Sequence, residues 1–160
     1  AHADGKAALL RGDVDVWSGL DPITSQTVKV DGSKIIYENK ALNTWGIISA
    51  REDFLKGNRD ITVAVLKNYQ KARAWILANP DKAAQILATS AKIDLDVAKN
   101  VLVNRTKVNV PLVPGGLQSG ILATIQPILV ADAQVKSQAD ATAALTTLYD
   151  TSYAFAALKK

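Results

Sequence analysis

Ile61, Val65, Tyr69, Ala72 and Ile76 recur at three- and four-residue steps, and that run alone dictates one long amphipathic helix over 59–78. After residue 50 the chain reads mainly as helix. Asn79-Pro80-Asp81 ends the long helix and starts another, with Asn79 as cap and Pro80 in the first turn. Ala83, Ala84, Ile86 and Leu87 carry that second helix. Asp94 caps a third, whose buried face is expected to hold Ala98, Val101 and Leu102. Two prolines and two glycines keep 110–116 (VPLVPGG) out of any helix. Helical spacing resumes over 117–135, where Pro127 predicts a kink or break near Gln126. A final helix is expected over about 139–158.

The first fifty residues read differently. Asp4 to Arg11 (DGKAALLR) forms a short helix with Asp4 as cap and Gly12 as stop. Val14-Asp15-Val16-Trp17 alternates as a strand does, and Asp21-Pro22 opens another short helix. Asp31-Gly32 is a turn, Ile35-Ile36-Tyr37 a strand and 44–49 (TWGIIS) a third. This strand–helix alternation predicts an α/β arrangement. Three strands with open edges make a poor independent unit, so an incomplete domain is expected, and a swapped dimer if the chain is truncated.

Composition narrows the function. Hydrophobic residues make up 48% and charged residues 21% of the chain, which suits a folded globular protein. No apolar run nears the roughly 18 residues of a membrane span, and no signal peptide is visible. The chain opens on Ala1-His2-Ala3, as a processed, trimmed or engineered end would. It has no cysteine and a single histidine, His2, so the common general base, thiolate nucleophile and zinc ligands are missing from its body. No enzyme, no cofactor and no metal site is expected; Asp13-x-Asp15 has no third ligand nearby and reads as a helix stop and strand start. The net charge of +4 is spread without a basic stripe, against nucleic-acid binding.

Residues 4–22, DGKAALLRGDVDVWSGLDP, resemble the solute-binding proteins of ABC importers for aliphatic sulfonates, taurine and nitrate. Asp4, Ala7, Ala8, Leu9, Gly12, Val14, Asp15, Trp17, Asp21 and Pro22 fit that family's D-x-x-A-A-L, G-x-V-D-A-W and W-D-P series, while Val16 and Leu20 depart from it. The similarity continues at 43–50 (NTWGIISA), at 51–58, at the helix end AWILANP with its following alanines, and at 150–154 (DTSYA). The resemblance implies part of a bilobal, type II periplasmic-binding-protein fold. Residues 1–43 would end the second lobe and 44–160 would return into the first, mainly as helix, with the family's N-terminal half absent. It implies a periplasmic protein, or one lipid-anchored outside the cytoplasm in its precursor, that captures a small anionic or zwitterionic solute, such as an alkanesulfonate or taurine, in the cleft between lobes and delivers it to an inner-membrane ABC permease.

Candidate ligand contacts follow from that placement. Trp17, Ser18, Gly19 and Asp21 stand at a strand end, where α/β sheets bind ligands, beside helix N–H groups suited to an anion. Trp17 reads equally as core, and Asp21 chiefly as a helix cap. Asn43 and Trp45 would come from the hinge side, where a turn leading into a buried strand accounts for them too. The alternative from a different class is a self-associating helical interaction module with no small-molecule ligand.

Overall fold

The computed structural model describes residues 2–39, 46–115 and 117–159. Nine α-helices and one π-helical turn occur among them: α1 (His2–Arg11), α2 (Ile23–Lys29), α3 (Glu52–Gly57), α4 (Arg59–Ala78), α5 (Pro80–Ala91), α6 (Leu95–Asn100), the π-turn (Val101–Arg105), α7 (Leu117–Ala131), α8 (Gln138–Thr147) and α9 (Ser152–Leu158). The α/β expectation is overturned: the described residues hold 65% helix and no strand, so a bilobal periplasmic-binding-protein fold with a sheet is not what this chain forms. Residues 14–17, 35–37 and 46–49 are irregular; Thr44 and Trp45, the start of the third expected strand, lie outside the described residues. The reason is pairing. A strand is held by its neighbour's ladder, and β-branched sequence alone does not supply one. Val16, Ile36 and Ile47 are left 61%, 75% and 70% exposed.

The chain divides into two compact units, one of residues 1–49 and 73–109, the other of 50–72 and 110–160. In the first, α5, α6 and the π-turn pack together and α2 joins α1 to α6. Its core is Ala83 and Ala84 of α5, Val97 and Ala98 of α6, and Ser25 and Thr27 of α2. Four of these six are alanine or serine, so the helices approach closely on small side chains. Val101 and Leu102, expected in this core, are only half-buried, because the π-turn shifts them off the buried side of α6.

In the second unit α7 packs on α8, and Gln126 is the pin between them. Its amide donates to the Ala141 carbonyl at 3.2 Å and its Oε1 accepts from Gln138 Nε2 at 2.7 Å and Thr142 Oγ1 at 3.3 Å. A buried amide with donor and acceptor both used specifies one packing. Pro127 follows it without ending α7, which runs unbroken through it. The expected last helix instead splits into α8 and α9. Between them the Asp150 carboxylate takes the Ser152 N–H at 2.9 Å. The Arg59 guanidinium lies 4.7 Å over the Tyr153 ring, whose hydroxyl donates to the Leu55 carbonyl at 3.1 Å.

Helix ends explain which boundaries the sequence reveals. Gly12, at φ 80°, ends α1 with its own N–H on the Leu9 carbonyl and the Asp13 N–H on the Ala8 carbonyl, the paired bonds of a Schellman cap. The same pair ends α7 at Ala133, φ 55°, through Ala133 N–H to Val130 and Gln134 N–H to Leu129. No glycine announces that second cap, and it stops the helix short of the expected residue 135. At the other junction Asn79 sends both its N–H and its side-chain amide to the Trp75 carbonyl, and Pro80 begins α5 as expected.

Candidate functional site

The loop before α2 turns on Trp17. The largely covered indole lies against two glycines: a β-carbon on Gly5 of α1 would sit 2.2 Å from its Nε1, and one on Gly19 would sit 2.5 Å from its Cη2. Trp17 therefore clamps the loop onto α1 through backbone that carries no side chain. Ser18 and Leu20 are exposed. In the first turn of α2 the N–H groups are already bonded: Thr24 N–H goes to the Leu20 carbonyl, Gln26 N–H to the Pro22 carbonyl, and Ser25 N–H to the Asp21 carboxylate.

Asp21 is the hub of a network reaching α6 and the π-turn. Its Oδ1 accepts the Ser25 N–H at 3.0 Å and the Ser25 hydroxyl at 2.6 Å. Its other oxygen takes the Arg105 Nε, while Arg105 Nη1 reaches Glu38 at 2.9 Å. Arg105 and Asp21 side chains are 21% and 19% exposed. The two carboxylates push the guanidinium's pKa above its ordinary value, Asp21 contributing most. Asn100 donates to the Ser25 hydroxyl at 3.0 Å and accepts from Asn104 Nδ2 at 3.1 Å. Ser25 is thus fully occupied, as donor and acceptor, in a place closed to water.

Beside this network, an open groove of about 420 Å³ is lined by Lys29, Asp96, Lys99, Asn100, Val103 and Asn104. Lys99 also pairs with Asp81 at 3.1 Å. Two ammonium groups and two amides offer donors to a small solute with several acceptor oxygens, while Asp96 and Asp81 offset the two lysine charges. Among the described residues no group of three or more His, Asp or Glu could hold a metal.

The structure thus brings Trp17, Gly19 and Asp21 into one corner, with Ser18 exposed on the same loop, whereas Asn43 and Trp45 lie outside the described residues. Ser25, Asn100, Asn104, Arg105 and the two groove lysines are residues that sequence reasoning did not single out as site candidates. Asn100 and Arg105 stand five apart, a spacing that an α-helix places on different sides and an i→i+5 π-turn closes. Nothing in the sequence marks a π-turn there. No protein-family model matches this chain, and neither does a curated protein or a solved structure.

Proposed function

We propose that this chain belongs to the solute-binding component of an ABC importer and captures a small organic anion of the alkanesulfonate or taurine kind, outside the cytoplasm, for an inner-membrane permease. The observation that carries this reading is the ordered series at 4–22, 43–58, 74–80 and 150–154. The groove beside α6 supports it by supplying the right chemistry. Sulfonate oxygens would meet the Lys29 and Lys99 ammonium groups and the Asn104 amide, and Val103 offers an apolar wall to an alkyl tail. Capture in this form depends on a helical groove and on no interlobe sheet cleft.

Calorimetric titration with taurine and a series of alkanesulfonates tests it. One of these should give saturable heat, weakened about tenfold by Lys29→Ala or Lys99→Ala, roughly the worth of one charge-assisted hydrogen bond. No heat from any of them overturns the reading.

A second reading, a helical interaction module with no small-molecule ligand, is favoured by α4. That helix buries none of its 20 residues, and Ile61, Val65 and Tyr69 are 55%, 43% and 50% exposed on one stripe. Self-association in light scattering together with no solute response would select it.

A further inference from the structure

Four charged side chains stand at the groove beside α6, and they cancel. Lys29, Lys99 and Asp96 line it, and Asp81 holds Lys99 at 3.1 Å, so the local sum is zero. That pair leaves two opposite charges uncommitted. Lys29, in the last turn of α2, and Asp96, in the first turn of α6, have no side-chain hydrogen bond or ion pair among the described residues. Asn100 spends a donor and its oxygen on Ser25 and Asn104, while Asn104 keeps one N–H and its own oxygen for a ligand.

A simple anion in this groove is attracted by Lys29 and repelled by Asp96. At similar distances the two effects are equal in size and opposite in sign. A solute with both an acid group and an ammonium group turns the repulsion into a second attraction: acid on Lys29, ammonium on Asp96. The space fits such a solute, since about 420 Å³ lies in the range of small-molecule sites. Asp96 also stands one turn before Asn100 on α6, about 6 Å along the axis. One short molecule can therefore meet a carboxylate at one end and amide N–H groups at the other.

We infer that the groove is a zwitterion site, in which Asp96 takes the solute's ammonium group and so selects an aminosulfonate over a plain alkanesulfonate. Such selection presupposes that the groove captures a solute, as proposed above.

Taurine and ethanesulfonate differ by that ammonium group alone, and calorimetry at neutral pH compares them on the whole protein. Taurine should bind about tenfold tighter, the worth of one charge-assisted hydrogen bond. Asp96 is exposed, so Asp96→Asn leaves the packing intact; it should abolish the preference, weakening taurine and strengthening ethanesulfonate. Asp94→Asn removes the same charge from an exposed residue that does not line the groove, and should keep the preference. Equal affinity for the two solutes, a preference that survives Asp96→Asn, or one that Asp94→Asn abolishes equally overturns the inference and leaves solute capture standing. No heat from either solute overturns both.

Discussion

Gly5→Ala should destabilise this protein although alanine is the better helix former. Within α1 the change is worth about 1 kcal/mol in favour of the helix. Against it stands the Trp17 indole, whose Nε1 and Cδ1 would lie 2.2 and 2.4 Å from the new methyl. Real atoms do not approach so closely, and both sides are rigid: a helix backbone on one and an aromatic ring on the other. The ring must leave. A fully buried tryptophan covers about 200 Å²; Trp17, roughly three-quarters covered, hides about 150 Å², worth about 4 kcal/mol at 25 cal/mol/Å². The net cost is about 3 kcal/mol. Urea denaturation followed by circular dichroism measures it. In a Trp17→Ala background the obstacle is gone, and the same Gly5→Ala change should stabilise by up to about 1 kcal/mol. A Gly5→Ala variant that is stabilised with Trp17 present, or that shows the same effect in both backgrounds, refutes the clamp.

Ala133→Gly should raise stability by about 1 kcal/mol, because a β-carbon at φ 55° strains the cap that glycine would fill freely; thermal unfolding reads it. Arg105→Ala should cost about 1–3 kcal/mol by leaving the largely buried Asp21 carboxylate without its guanidinium, and Arg105→Lys should recover only part, since one ammonium cannot serve Asp21 and Glu38 with the same fork. Asp150 is held below the usual aspartate range, first by the Ser152 hydroxyl and N–H and then by Arg59. A depressed folded pKa adds stability above the unfolded value, near 3.9, and loses it as pH falls through the folded one. Acid titration of the wild type and of Asp150→Asn should therefore differ below about pH 4, the variant showing the shallower loss.

Helix boundaries were readable wherever their chemistry is local. Gly12, Asn79-Pro80 and the 61/65/69 stripe announced α1, α4 and α5 because a cap or a periodicity needs only neighbours in the chain. The expected strands failed for the opposite reason. Val14 to Trp17 and Ile35 to Tyr37 have strand composition, but a ladder needs a second segment, and alternation does not say whether the chain provides one. The break between α8 and α9 rests on an aspartate bonding two residues ahead, a signal as short as Asp150-x-Ser152 and easily lost among helix formers. The sequence singled out the Trp17–Asp21 loop, but none of its residues lines the groove. The rest of the Asp21 network was not legible, because Arg105 and Asn100 reach Asp21 and Ser25 from 84 and 75 residues away, through a π-turn without a sequence signature.

Whether the groove between α2 and α6 receives an organic anion is the decisive question for this protein. Backbone amide spectra recorded through a taurine titration answer that residue by residue. Saturable shifts concentrated at Lys29, Lys99, Asn100 and Asn104, and abolished by Lys29→Ala with Lys99→Ala, are the predicted result. Spectra that stay unchanged to saturating taurine and alkanesulfonate, or that shift only away from the groove, contradict it.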